Sequence, residues 1–379
     1  VLPLFFQPLP PDRPMPPCLS WLLDLSRWRW VPLPLVLLLN GCSYYAQLLN
    51  GQVDLLARRE PISELLAKPD LDPQLRQRLL LAEDARSFAS CQLALPDNQS
   101  YRLYADLGRP YVVWNLFATP EFSLEAQTHC FPIAGCVAYR GFYEQNRARG
   151  AAALLKQEGL DTYVAGIEAY STLGWFADPL LNTMLRWDDQ RWVSVIFHEL
   201  AHQQFYLPGD TAFNESYASF VETEGLRQWR AAKGLKAAEN GARERQREQF
   251  SSLVLASRER LQSLYTSGQT EAQMRVGKAA EFERLRGEYQ VLRSSQWAGD
   301  GRYDAWMYGP LNNAKLLPFG LYDQWQPAFA ALFVEVNGDW PRFYAAVKAL
   351  GELPDDQRQK RLAQLQRGRT DQAALESKP

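Results

Sequence analysis

The sequence predicts an α+β fold: a small mixed β-sheet followed by a mainly helical part, with an inserted helical hairpin. Three observations carry this. Between residues 101 and 176, aromatic and β-branched runs are separated by Gly, Pro and Asn, the punctuation of short strands. After residue 189 the apolar spacing turns helical and stays so nearly to the end. Residues 236–293 hold two charge-laced helical segments on either side of "TSGQT", which reads as two antiparallel helices joined by a short turn. Strands first and helices afterwards is an α+β order, not an alternating one.

The first 42 residues read as a leader and lipoprotein signal peptide. The stretch before Met15 looks like an upstream extension or a disordered leader. In "RWRWVPLPLVLLLNGCSYY", Arg27 and Arg29 precede an apolar run from Val31 to Leu39 and then Asn40-Gly41-Cys42. The run is too short to anchor a chain across a bilayer. It has the basic, apolar and small-residue layout of a signal peptide. Leu39 to Cys42 resembles a bacterial lipobox, which makes Cys42 the lipidated residue. A plain secretory signal or a buried apolar strand is the alternative. A diacyl anchor holds a protein stably on a membrane, so the expected location is the periplasm-facing cell envelope.

The body follows in order. Residues 73–92 have leucines and alanines at helical spacing. "SYRLYADL", "PYVVWNLFA" and "CVAYRGFY" read as strands. "EQNRARGAAALLKQEGL" is a helix closed by Gly159, and "DTYVAGIEAYSTLGWF" returns to strand. Asp188 or Asp189 then caps a helix. The expected division is 43–235 for the N-terminal α/β part with the metal-binding helices, 236–293 for the hairpin, 294–367 for a helical part completing the cleft, and 368–379 for a disordered tail. The hairpin's apolar positions are Phe250, Leu253, Leu261, Leu264, Phe282, Leu285, Tyr289 and Leu292. It reads as a solvated arm folded over the site or as an arm for a partner.

The chain has 379 residues, 46% of them apolar, and a net charge of −2 spread along its length, so a sizeable core is available and nothing points to nucleic acid. Twelve tryptophans and seventeen tyrosines suit a core or the walls of a substrate groove. Past the leader the cysteines are Cys91, Cys130 and Cys136. An odd count permits one disulfide at most. Cys130 and Cys136 bracket Pro132 and Gly135, which can turn the chain back; Cys91 with either is the alternative.

The chemistry concentrates in "VIFHELAHQQFYLPGDTAFNESYASFVETEG", residues 195–225. At 3.6 residues per turn, His198 and His202 project from one helix face, where a single tetrahedral Zn²⁺ takes both. Glu199 is rotated off that axis. Zinc draws the pKa of a bound water towards ~7, and the carboxylate takes its proton as it attacks a carbonyl. Glu215 has the chemistry of a third ligand, and two His plus one Glu leave the fourth position open. Val195, Ile196, Phe197, Leu200 and Ala201 surround the pair, so the segment is buried, and buried imidazoles need partners.

"HELAHQ" followed by "FNESYASFVE" resembles the gluzincin metallopeptidases, the aminopeptidase N family above all. Over roughly residues 40–350, including "FPIAGCVAYRGFYE", "AYSTLGWFADPLLNT" and "GPLNNAKL", the chain resembles a bacterial family of predicted aminopeptidases, usually lipoproteins. The resemblance implies a zincin-like metallopeptidase core, one zinc ion, His198, His202 and Glu215 as ligands, Glu199 as base, and peptides as substrates. Twelve residues separate His202 from Glu215, fewer than in the aminopeptidase N family, and that family's large N-terminal sheet domain has no counterpart.

Glu222 and Glu224 compete with Glu215 for the third-ligand role. Glu215 fits better because Asn214 can begin a helix that puts it in the first turn. Glu222, two turns further along the same face, suits a hydrogen bond to a histidine N–H, and Asp210 is a further candidate for such support. In the aminopeptidase N family a downstream tyrosine stabilises the oxyanion, which points to Tyr303 over Tyr308 in "GDGRYDAWMYGPLNNAKL". Asn312 and Asn313 are candidates for lining the cleft. The strand "AYSTLGWF" could pair with substrate backbone, and Glu168 could hold a free α-amino group.

Overall fold

The computed structural model describes residues 32–131, 135–169, 171–235, 241–319 and 325–376. In chain order it contains α1 (Pro32–Ala57), β1 (Arg59–Pro61), α2 (Ile62–Ala67), α3 (Pro73–Cys91), β2 (Leu103–Ala105), β3 (Val113–Pro120), β4 (His129–Phe131), β5 (Gly135–Val137), β6 (Arg140–Phe142), α4 (Gln145–Gln157), β7 (Leu160–Ile167) and β8 (Leu180–Leu181). The helical part follows with α5 (Asp189–Gln204), α6 (Thr211–Ala232), α7 (Gly241–Tyr265), α8 (Glu271–Gln296), α9 (Asp304–Met307), α10 (Asn313–Leu316), α11 (Gln326–Glu335), α12 (Trp340–Gly351) and α13 (Asp355–Glu376). The order is the α+β one the sequence predicts.

The strands form small sheets. β1, β2 and β8 make a mixed sheet in which β2 pairs antiparallel with β1 and parallel with β8. β3 is the centre of an antiparallel sheet between β6 and β7, in register from Val113 against Ile167 to Pro120 against Leu160. β7 ends at Ile167, and Ser171 to Phe176, expected as strand, is not strand. A turn interrupts it: Leu173 and Gly174 take left-handed φ values of 55° and 82°. β4 and β5 form a separate pair in which Cys130 lies opposite Cys136, and a disulfide joins them. Cys91 is free and exposed.

Helices α3, α5, α6 and α11–α13 share one core. Phe213, Tyr217 and Phe220 on α6 meet Phe329 and Phe333 on α11 and Trp340 and Phe343 on α12, with ring centroids 4.5–6.3 Å apart. Tyr344 donates to the Leu93 carbonyl at 2.8 Å, closing α12 onto the segment after α3. The C-terminal helices are thus part of the core that carries α5 and α6.

The hairpin α7–α8 has a cluster of its own, built on Phe250, Val254, Leu261, Phe282, Leu285 and Tyr289 and closed by Trp297, Met307 and Leu316. Thr270 and Gln273 form a reciprocal capping box that starts α8 after the turn. Lys278 reaches Asp161 on β7 at 2.6 Å and Arg275 reaches Glu121 at 2.8 Å, docking the hairpin beside the central sheet. The tail expected to be disordered continues α13 as far as Glu376.

The leader up to residue 31 lies outside the described residues. The end of the apolar run and Cys42 fall within α1, so the boundary expected at residue 42 does not interrupt the helix. Among the described residues no helix is long and apolar enough to cross a membrane.

Candidate metal centre

The helix α5 begins where an acid can cap it. Asp188 accepts a hydrogen bond from the Arg191 N–H at 2.9 Å, satisfying one of the first-turn donors that a helix leaves unpaired. Trp192, Val193, Ile196, Phe197, Leu200 and Ala201 are fully buried. This packing turns the next face, with His198 and His202, towards α6. The two rings meet edge to face at 4.8 Å, with their Nε2 atoms 3.2 Å apart.

Glu215 comes from α6. Asp210 caps this helix, accepting from the Phe213 N–H at 3.0 Å, and Arg358 also contacts its carboxylate at 3.2 Å. Asp210 is therefore held by the cap and the arginine rather than by the histidines. Asn214, expected to begin the helix, lies one turn inside it. Its amide clamps the α5–α6 turn, accepting from the Leu207 N–H and donating to the Leu207 carbonyl, both at 2.7 Å. Glu215 accordingly sits past the first turn. Gly225 sets the helix separation: a Cβ there would stand 2.8 Å from Leu93 and 3.0 Å from Phe197. Glu215 Oε2 then reaches 3.4 Å from His198 Nε2 and 3.7 Å from His202 Nε2.

These three residues form the metal-compatible group among the described residues, with ligand atoms within 4.8 Å of one another. A tetrahedral ion with bonds of ~2.0–2.1 Å spaces its donors about 3.4 Å apart, close to the separations found. The two Nε2 atoms and the Glu215 carboxylate oxygen thus converge on a common point. The charge balance agrees. Glu199, Glu215 and Glu222 surround two imidazoles, an excess of negative charge that a bound cation offsets. Burial opposes a charge on His198, but hydrogen bonds to Glu215 and Glu222, together with the nearby carboxylate charges, outweigh it and hold its pKa well above the ordinary range. Burial pushes Glu215 up, yet His198 and His202 override it and hold this carboxyl well below the usual range.

Glu222 lies two turns beyond Glu215, as the spacing suggests. Its Oε2 is 3.0 Å from His198 Nδ1, and its Oε1 accepts from the Ser194 hydroxyl at 2.8 Å. Burial raises its pKa, while His198, Ser194 and the charge of Arg247 on the hairpin lower it further than burial raises it. His202 has no such support: its Nδ1 is buried without a hydrogen-bond partner. Glu224 turns away to Arg227 and Gln228. Glu199 is half-buried, and its carboxylate makes no hydrogen bond or ion pair among the described residues.

Other expected contacts are placed elsewhere. Tyr303 stacks on Phe250 with ring centroids 3.9 Å apart, inside the hairpin cluster, and Tyr308 packs edge-on to Tyr289. Asn312 caps α10, accepting from the Lys315 N–H at 3.0 Å and donating to the Thr162 carbonyl at 2.9 Å. Asn313 is fully buried and donates to the Glu121 and Ser123 carbonyls. Asn312 thus ties α10 to β7, and Asn313 ties it to the segment after β3. Glu168 is already neutralised: it accepts from Arg186 at 2.7 Å and from the Trp187 indole at 2.6 Å, with Arg191 at 3.5 Å.

The tyrosines near the group are ones the sequence reading passed over. Burial pushes the Tyr139 phenol up to about 12, reinforced by the charges of Glu215, Tyr206 and Glu199. The Tyr206 ring lies 6.0 Å from that of His202. Tyr101 is buried and raised first by burial and then by Glu199 and Asp178. Tyr206 had a local signal, since it follows His202 by one helical turn. Tyr139 had none; it comes from the β5–β6 connection.

No curated protein and no solved structure matches the chain. One family model does, over residues 43–362, a span that takes in the metal-compatible group, the disulfide-linked strands and the hairpin. The chain belongs to that family, described as "Putative aminopeptidase", and so to a class of proteins read as peptidases.

Proposed function

We propose that the protein is a zinc-dependent peptidase of the bacterial cell envelope, acting as an aminopeptidase and tethered to the membrane through a lipid on Cys42. The observation that carries the reading is the convergence of His198, His202 and Glu215, next in the chain to Glu199, whose carboxylate is unpaired among the described residues. Those three residues would hold one zinc ion. When bound, zinc supplies Lewis acidity to the scissile carbonyl and to the attacking water.

The chain's own residues handle the protons. Glu199, whose carboxylate has no ion-pair partner among the described residues, takes a proton from the attacking water and passes it to the leaving amine. Glu222 accepts the Nδ1–H of His198, which fixes the tautomer and leaves the Nε2 lone pair facing Glu215 and His202. Tyr139 keeps its proton at neutral pH because its pKa is pushed up to about 12. Its phenol therefore donates to the oxygen that gains charge as the carbonyl is attacked. This role replaces the one expected of Tyr303.

With Glu168 occupied, exopeptidase specificity rests on family membership. That occupancy favours one second reading, an endopeptidase acting on exported proteins. Cleavage of peptides with free and with acetylated N-termini separates them. An aminopeptidase cuts only the free-amine series; equal internal cleavage of both series establishes the endopeptidase instead. Loss of all peptide cleavage with zinc still bound would leave a non-catalytic zinc protein.

A further inference from the structure

A second face of α5 bears on what the site accepts. Glu199 and Gln203 are one turn apart, next to the edge that carries the histidines. The segment from Ser171 to Asp178 runs along this face. A Cβ on Gly174 would lie 3.3 Å from the Gln203 side chain, and the Gln203 amide oxygen accepts from Asn98 at 2.7 Å. Tyr101 and Asp178 are both close enough to Glu199 for its charge to bear on them.

The segment is held firmly. The Asp178 carboxylate, 2% exposed, accepts from the Thr172 N–H at 2.9 Å and from its hydroxyl at 2.8 Å. The Phe176 N–H donates back to the Thr172 hydroxyl at 3.0 Å, and the Tyr101 N–H donates to the Asp178 carbonyl at 2.7 Å. Leu173 takes a φ of 55°, uncommon for a branched side chain. All this order presents one large side chain to solvent: Trp175 is 54% exposed and is the one exposed tryptophan among the described residues. Its indole makes no hydrogen bond or ring contact among them. An indole held in water on a pinned turn, one residue past the Gly174 that abuts Gln203 on α5, is an apolar surface prepared for a ligand.

We propose that Trp175 determines specificity: its indole is the platform for the side chain of a residue flanking the scissile bond, and the substrates are peptides with an aromatic or branched aliphatic residue there. The proposal rests on the peptidase reading above. Packing against an exposed aromatic face discriminates by the apolar area covered. Glycine or aspartate at the same position covers none of it. The pinned turn means that little ordering entropy is lost when the substrate arrives.

The test uses the full chain loaded with zinc, with tripeptides carrying Phe, Leu, Gly or Asp on either side of the cleaved bond. Cleavage is followed for the native protein and for Trp175→Ala and Trp175→Phe. Binding of the same peptides to Glu199→Gln, with and without Trp175→Ala, is followed by calorimetry. The expected result is a Leu-over-Gly ratio of kcat/KM that falls about tenfold in Trp175→Ala and is largely restored in Trp175→Phe, matched by the same shift in Kd. An unchanged ratio overturns the proposal, whether rates stay high or fall equally for every peptide. If the native protein cleaves none of the peptides but binds them with this Trp175-dependent preference, the peptidase reading fails and the apolar subsite stands. Cleavage without side-chain preference does the opposite.

Discussion

At the scale of single residues, metal binding and proton handling fall to different side chains. Glu199 touches neither histidine, so Glu199→Gln keeps the zinc and loses at least ~100-fold in kcat, the worth of a general base. Zinc analysis and peptide hydrolysis of one preparation check both halves. Glu222 acts through His198 Nδ1, so Glu222→Ala lowers zinc affinity by ~10–100-fold while leaving the three ligands in place, measured by chelator competition. Tyr139→Phe keeps the metal and lowers kcat by ~100–1,000-fold, the range for one oxyanion donor; an unchanged kcat assigns that role to Tyr206 or Tyr101. Helix periodicity made His198 and His202 legible as one pair and Glu215 and Glu222 as another, and the short connection between their helices suggested that the two pairs meet. Tyr139 was not, since it lies on a different chain segment brought in by tertiary packing. The partners of Glu168 were not legible for the same reason. Arg186, Trp187 and Arg191 close on it only in the fold, and a lone acid in a sequence gives no sign of partners 18 to 23 residues away.

At the scale of elements, the α5–α6 pair is the unit that makes the site. Two features set its geometry. Asn214 closes the turn with two hydrogen bonds to Leu207, so Asn214→Ala strands a partly buried N–H and carbonyl and costs about 1–2 kcal/mol. Gly225 lets the helices approach, and Gly225→Ala drives a Cβ into Leu93 and Phe197, costing about 1–3 kcal/mol by overpacking. Because Phe197 is next to His198, the second change also weakens zinc binding, whereas a surface change of equal Tm effect does not. Tm and zinc affinity measured together distinguish these outcomes. The sequence located both helices and narrowed the cap of α5 to Asp188 or Asp189, of which Asp188 takes it. It placed the start of α6 at Asn214 because either Asn or Asp can cap; Asp210 takes the cap, and Asn214 is drawn into the turn. The hairpin was legible down to its apolar positions, since a two-helix unit is specified by local periodicity. The stretch after β7 was not, because aromatic runs suit a strand as well as a loop until the Asp178 contacts decide.

At the scale of the molecule, the C-terminal helices complete the core that holds the metal centre. Removing residues 325–379 uncovers Phe213 and Tyr217, both fully buried. Each such aromatic is worth about 3–5 kcal/mol when truncated, against a total stability of about 5–15 kcal/mol. The shortened chain therefore fails to fold and binds no zinc at the site, which circular dichroism and metal analysis show directly. The joint core was not legible in the sequence, because α11–α13 meet α6 only across more than a hundred residues of chain. Cys42→Ser abolishes lipid labelling and releases the protein from the membrane fraction; labelling that persists removes the proposed anchor. The central claim is zinc-dependent hydrolysis at His198, His202 and Glu215. It is tested by stripping the purified protein with a chelator and titrating zinc back while following cleavage of a free-amine peptide. The account predicts that activity vanishes on stripping and returns to a plateau at one zinc per chain. Full activity in the stripped protein, or none at any zinc concentration, would contradict it.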